Sequence, residues 1–193
     1  MKHIWLGGTL LSPTPAVLVT SGNMEMPNVF TVGWTGIVNT VPPRTYVSVR
    51  PSRYSYGLIK ASGEFVINLT TPSLIRAADI CGVYSGRDKD KFALCGLTRE
   101  RSATVSAPSI LESPLCLECR VFNIIPLGSH DMFLADITAV RVDDSLLDEN
   151  GALKLDRCGI AAYAHGSYYE LKRPVAKLGF AVKKRHNKSE KTR

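Results

Sequence analysis

The sequence has neither a G-x-G-x-x-G nor a G-x-x-x-x-G-K-[ST] segment. A nucleotide, if one is bound, is therefore held without those phosphate loops. No apolar run approaches membrane-spanning length. The apolar N-terminal residues are broken by Gly7-Gly8 and then by Pro13 and Pro15, so no signal peptide is expected. Histidine is scarce, with only His3, His130, His165 and His186, and no Ser/His/Asp or Cys/His constellation forms around them. Ser102 to Ser109 is rich in hydroxyls, but nothing near it would activate a nucleophile. Internal repeats are absent, and 193 residues suit one domain with a sizeable core.

The five cysteines, Cys81, Cys95, Cys116, Cys119 and Cys158, are an odd number. Without a secretion signal, that count favours reduced thiols in a cytoplasm. Cys116-Leu-Glu-Cys119 invites a metal or redox reading, but it falls in a predicted strand, where positions three apart point to opposite faces. A zinc site would also need a second ligand pair, and none is found. These are read as structural cysteines, and no metal is expected.

Charge has a similarly plain explanation. The net charge is +7, yet the last eleven residues, KKRHNKSEKTR, hold six Lys/Arg against one Glu, or +5. The other 182 residues carry only +2. Residues 1–180 are expected to form the folded domain and 181–193 a basic, disordered tail. A nucleic-acid-binding β-barrel would carry its charge on the barrel face, so that reading rests on the tail alone.

Short β-rich runs dominate the rest: Ala16–Thr20, Asn28–Val32, Thr45–Val49, Glu64–Thr70, Leu115–Ile125 and Asp131–Val142. Tyr54–Ser62 reads as a helix stopped by Gly63, and Ser73–Ile80 as a second helix with Ser73 as its N-cap. A shorter turn is expected over Asp88 to Leu94. Many short strands with few helices predict an antiparallel barrel with helical insertions and not a doubly wound sheet.

One segment carries convergent chemistry, the stretch from Thr31 to Leu69. Gly33 and Gly36 allow close approach of backbone to a flat ligand. Thr35, Asn39 and Thr40 offer donors and acceptors to a ring edge, and Pro42-Pro43 fixes the exit of the turn. One strand later, Arg50, Ser52, Arg53, Tyr54 and Ser55 stand at a predicted helix start, where backbone N–H groups favour an anion. A flat polar ring at one end and an anion at the other describe a phosphorylated aromatic cofactor. The plainer alternative is a hairpin with a charged surface loop. His130, in Gly128-Ser129-His130-Asp131, is either part of a simple turn or an imidazole at a pocket edge. The cluster Tyr163-Ala164-His165-Gly166-Ser167-Tyr168-Tyr169 reads as aromatic packing beside a glycine turn.

The segments TVGWTGIVNTVPP, VRPSRYSYGLIKASGEFVINL, CGVYSGRDKDKF and GSHDMFLADITAV, in that order, resemble the flavin reductase-like family, and most of all its flavoredoxin branch. The resemblance runs from about Ala16 to Tyr169. It implies an FMN-binding split β-barrel, a Greek-key antiparallel barrel with a few helices. It also implies that Gly33, Trp34, Thr35, Val38, Asn39 and Thr40 line the isoalloxazine ring, and that Arg50, Ser52, Tyr54 and Ser55 hold the ribityl phosphate. Ser85 and Lys91 match a loop that closes on the cofactor, and His130 matches the position after the Gly-x turn. A homodimer with FMN near the subunit interface is implied as well.

The activity expected from the resemblance is that of an NAD(P)H-dependent flavin or ferric reductase, or of a flavoredoxin-type carrier serving a redox partner protein. A non-catalytic FMN-binding protein is the alternative. Either way the cofactor carries the chemistry, so no catalytic triad is required.

Overall fold

The structure is a computed structural model that describes residues 1–182. The basic stretch from Lys183 on, with His186, lies outside the described residues. Its centre is one seven-stranded antiparallel sheet in the order β3-β2-β6-β9-β10-β5-β4. The strands are β2 (Val17–Gly22), β3 (Pro27–Val32), β4 (Thr35–Asn39), β5 (Arg44–Val49), β6 (Glu64–Leu69), β9 (Leu115–Pro126) and β10 (Asp131–Val142). The sheet curls into a half-barrel: the edge strands β3 and β4 are joined through Gly33-Trp34, and Ser48 N–H donates to Trp34 O at 2.9 Å.

The curl gives the sheet two apolar faces. Inside it, Val17, Val19, Phe30, Val47, Phe65, Ile67, Phe133 and Ala135 pack with Ile59 of α1 (Tyr54–Ser62). Outside it, Leu18 and Val29 are covered by Leu74 together with Ala77, Ala78 and Cys81 of α2 (Ile75–Val83) and Phe92 of α3 (Lys91–Cys95). β2 is therefore buried on both faces, which explains why Val17-Leu-Val-Thr-Ser lacks a hydrophobic–polar alternation. Each large aromatic in this interior is worth about 3–5 kcal/mol against truncation to Ala.

The predicted helix Tyr54–Ser62 is observed with those bounds and ends on Gly63, whose φ of 68° is the left-handed C-terminal stop. The second helix differs at its start, because Pro72–Leu74 form a 3-10 turn and the α-helix begins at Ile75. The short turn begins later than expected, at Lys91, where the Asp90 side chain accepts the Ala93 N–H at 3.1 Å and caps it.

β10 departs from strict alternation at two register shifts, between Leu134 and Ala135 and between Ile137 and Ala139. Phe133 and Ala135 still point into the barrel. Cys116 and Cys119 lie on opposite faces of β9, Cys116 beside Val66 and Ala107 and Cys119 in the barrel interior.

The remaining strands are short. β1 (Thr14–Pro15), β11 (Ala161–Ala164) and β12 (Ser167–Glu170) form a separate three-stranded sheet. β7 (Arg99–Glu100) and β8 (Ser109–Ile110) pair with each other. His165 and Gly166 both have positive φ, 47° and 89°, as the tight turn of the β11–β12 hairpin requires. The expected aromatic packing is there, with Tyr163 and Tyr168 edge-to-face at 5.7 Å.

Candidate functional site

The strand β5 ends at Val49, and Pro51 cannot continue the ladder. The chain turns instead, with Arg53 N–H donating to Arg50 O at 2.9 Å, and enters α1. Arg53 is the N-cap residue, extended and without a side-chain capping bond, so the helix start is left for another acceptor. Across from it stand the end of α2 and the loop to α3. That wall is held to β3 by the Thr31 hydroxyl, which donates to Ala78 O.

Between the two walls lies a cavity of about 500 Å³. Its side chains include Arg50, Arg53, Arg87 and Lys91, with Asp88 as the one carboxylate, which leaves a net +3. Ser52, Tyr54, Ser55 and Ser85 add hydroxyl groups.

Lys91 shows best what this cavity is built for. The residue is only 4% exposed, and Nζ reaches just two acceptors, Cys81 O and Tyr84 O, both at 3.3 Å. Among the described residues no carboxylate pairs with it. Burial lowers its pKa from the ordinary lysine value, and the charge of Arg53 acts in the same direction. A buried ammonium with spare hydrogens is costly unless an anion completes its shell. The uncapped helix start, the hydroxyls and the three guanidinium groups surround the same space. A phosphate monoester suits this donor set.

Gly86 fixes how closely the loop approaches. A Cβ there would collide with Asn28 Oδ1 and lie 3.0 Å from Tyr54 Cδ1. Asn28 is buried, and its Nδ2 donates to Ser55 Oγ at 2.6 Å. Gly86→Ala must therefore displace the amide that orients Ser55. The expected cost is about 1.5 kcal/mol, read as a lower midpoint in urea unfolding. An unchanged midpoint would show that Asn28 swings aside freely.

A second hollow of about 370 Å³ continues from the first through Phe30, Thr31, Arg50 and Arg53. It adds Val32, Gly33, Trp34, Ser48, Val49 and His130, so the groove passes from a cationic end to a flatter end walled by backbone and an indole. His130 Nδ1 sits 3.0 Å from Ser129 Oγ. Burial and then the charge of Arg50 lower its pKa from the ordinary value, which favours neutral imidazole at neutral pH. Beyond Gly33 and Trp34 lies a mainly apolar hollow of about 200 Å³, walled by Thr14, Ala16, Tyr163 and Tyr168.

Of the residues singled out in the sequence, Gly33, Trp34, Arg50, Ser52, Tyr54, Ser55, Ser85, Lys91 and His130 meet along this groove. Thr35, Val38, Asn39 and Thr40 do not line it. The Thr35 hydroxyl is turned to Tyr46 O at 2.5 Å. Asn39 braces the β4–β5 turn, its Nδ2 donating to Pro42 O at 2.9 Å, while Val38 and Thr40 are exposed on that hairpin. The structure adds Phe30, Thr31, Gly82, Tyr84, Gly86 and Arg87. Arg87 and Gly86 sit within the SGRDKDKF segment, so its glycine and first basic residue were the available signal.

Known proteins resemble this chain in sequence and in fold. Residues 10–172 match the model of the flavin reductase like domain family. The flavoredoxin of Desulfovibrio vulgaris (Miyazaki F) superposes with a TM-score of 0.88 at 33% identity, covering 95% of this chain and all of that one. A protein of Archaeoglobus fulgidus is 36% identical over 138 residues, 72% of this chain and 77% of its own length. The FMN reductase (NADH) RutF of Cronobacter sakazakii is 23% identical over 164 residues, 84% of this chain and 87% of that protein. The expected split β-barrel and the expected cofactor, FMN, both stand. The chain belongs to the flavin reductase-like family.

Proposed function

We propose that this flavin-binding oxidoreductase draws electrons from NADH or NADPH through FMN and passes them to free flavin, a ferric chelate or a redox partner protein. The observation that carries the reading is the groove itself, cationic at α1 and α3 and flat at Gly33-Trp34. Bound FMN supplies the hydride and electron chemistry. The chain's residues bind, orient and shield it. Arg50, Arg53 and Lys91, with Ser52, Ser55 and Ser85, hold the phosphate by charge and hydroxyl donation. Gly33 and Trp34 would hold the ring end of the cofactor, where the glycine leaves room for close approach and the indole would shield it. His130, kept neutral beside Arg50, presents an uncharged imidazole at the junction of phosphate and ring ends.

The exposed β4–β5 hairpin gives Val38, Asn39 and Thr40 a place in the same reading. Ile37 is 66% exposed and Val41 87% exposed, an apolar tip that a second copy of the chain would cover. In such a homodimer these residues reach the partner's ring and not their own. The reading places the protein in a cytoplasm, in keeping with its free thiols. Among the described residues no helix is long and apolar enough to cross a membrane.

The test is optical. Protein reconstituted with FMN is expected to show the oxidised flavin bands and to bleach on anaerobic addition of NADH or NADPH. Bleaching by dithionite but by neither nucleotide would leave a flavin-binding protein fed by a redox partner. Failure to take up FMN at all would remove the reading.

A further inference from the structure

We propose that Cys81 and Cys95 form an oxidisable dithiol whose closure to a disulfide locks the wall of the phosphate cavity. Their sulfurs are 3.8 Å apart, one on α2 and the other at the end of α3, and these helices pack together. A disulfide needs about 2.05 Å, so the sulfurs must approach by roughly 1.8 Å. Among the described residues no other cysteine offers such a pair, since the sulfurs of Cys116, Cys119 and Cys158 reach backbone carbonyls and no second sulfur.

Two placements make the pair more than a close contact. Cys81 is 1% exposed and lines the cationic cavity, whereas Cys95 is half-buried and opens onto a separate hollow with Arg76, Leu94 and Glu112. Cys95 is therefore reachable from outside, while Cys81 is packed in the helix–sheet core at the edge of the cavity. The chain between them carries most of the second wall, from Gly82 through Ser85, Gly86 and Arg87 to Lys91. Lys91 also donates to the Cys81 carbonyl, so the ammonium and the thiol belong to one unit. Burial raises the Cys81 thiol's pKa, with the neighbouring Cys95 adding to it. Access sets the order of reaction: the half-buried Cys95 meets an oxidant first, and the buried Cys81 resolves it as the neighbouring sulfur.

A hydroperoxide is the oxidant. Hydrogen peroxide is also what reduced flavin yields with dioxygen, so the proposed reaction can generate it nearby. The Cys95 sulfur attacks one peroxide oxygen, the O–O bond breaks, and a sulfenic acid and water result once the leaving hydroxide takes a proton. The Cys81 sulfur then attacks the Cys95 sulfur, the S–S bond forms, the S–O bond breaks, and a second water leaves with the Cys81 proton. Two thiols lose two electrons, which reduce one peroxide to two waters. A small dithiol reverses the change by exchange.

The bond ties both ends of the 81–95 segment, so the wall loses conformations that would otherwise let the cofactor escape. This consequence rests on the phosphate lying in that cavity. Oxidation is therefore expected to tighten FMN by roughly three- to tenfold, through slower release.

The experiment treats full-length protein with hydrogen peroxide and maps it by mass spectrometry after alkylation. FMN affinity is then measured by fluorescence in the oxidised and dithiothreitol-reduced forms, and in Cys95→Ser and Cys81→Ser. A peptide linking Cys81 to Cys95, tighter FMN in the wild type, and no oxidative effect in either variant support the proposal. No such link overturns the dithiol, and a link with equal FMN affinity in both forms overturns the lock. If the reduced protein binds no FMN, the cavity reading falls, and the linked peptide still decides the dithiol on its own.

Discussion

Arg50→Ala is expected to weaken FMN roughly ten- to a hundredfold, the usual worth of a charge-assisted hydrogen-bonded contact, while leaving riboflavin nearly unchanged. Arg50 stands where the two hollows join, and among the described residues no carboxylate pairs with its guanidinium. Its charge is therefore available to a ligand. Riboflavin has the same ring and ribityl chain but no phosphate, so the two ligands differ only in the group that Arg50 is proposed to meet. Salt should narrow the gap between wild type and variant for FMN, since the groove is open to solvent.

A second readout is independent of affinity. The charge of Arg50 contributes to the low pKa of His130, after burial, so its removal should raise the histidine's titration midpoint. Equal weakening of both ligands would move the phosphate site away from Arg50. An unmoved His130 midpoint would show that burial alone sets that histidine.

The half of the site legible from residue types alone is the half that is local in the sequence, whereas Ser85 and Lys91 of the opposite wall are legible only through the family resemblance. Arg50, Ser52, Tyr54 and Ser55 stand at one strand-to-helix junction, and Pro51 together with the Gly63 stop marks α1 without reference to the rest of the fold. The opposite wall comes from residues 82–91. It reaches Arg50 only because α2 packs its Ala77, Ala78 and Cys81 face on Leu18 and Val29, and because Thr31 binds the Ala78 carbonyl. Those are tertiary contacts, and no period in the sequence announces them.

The same distinction separates the strands. β5, β6 and β10 are rich in Val, Ile, Phe and Thr and read directly. β4 contains Gly36 and Asn39, which favour a turn, and it is a strand because its pairing with β5 outweighs that weak intrinsic preference. β11 and β12 are four residues each, too short for alternation to be decisive, and only the His165-Gly166 turn betrays their hairpin.

The larger stability effect is expected away from the groove, at Glu118. This residue is 0% exposed on β9, yet its carboxylate is fully engaged. Ala103 N–H donates to it at 2.8 Å, and Thr104 donates twice, from N–H at 2.6 Å and from its hydroxyl at 2.7 Å. Glu64 on β6 does the same for the Ser106 amide at 2.8 Å and hydroxyl at 2.6 Å. Two carboxylates thus hold the hydroxyl-rich loop over Val66 and Cys116, which makes that segment a cover on the outer face of the sheet. Glu118→Gln keeps the shape but turns one acceptor oxygen into an NH2 facing backbone donors. About 3 kcal/mol should be lost at neutral pH, since each buried donor left unpaired costs about 1–3 kcal/mol.

The sign of the pH dependence follows from the same bonds. Burial alone would raise the Glu118 pKa, but the hydrogen bonds from Thr104 and Ala103 outweigh it, and the folded value lies below 4.5. Its stabilisation is thus fully present above the unfolded value and fades as pH falls through the folded one. Urea unfolding from neutral pH downward should show wild type and Glu118→Gln separated near pH 7 and converging below about pH 4.5. A gap that stays constant with pH would mean that the carboxylate charge contributes nothing and that only shape is being read.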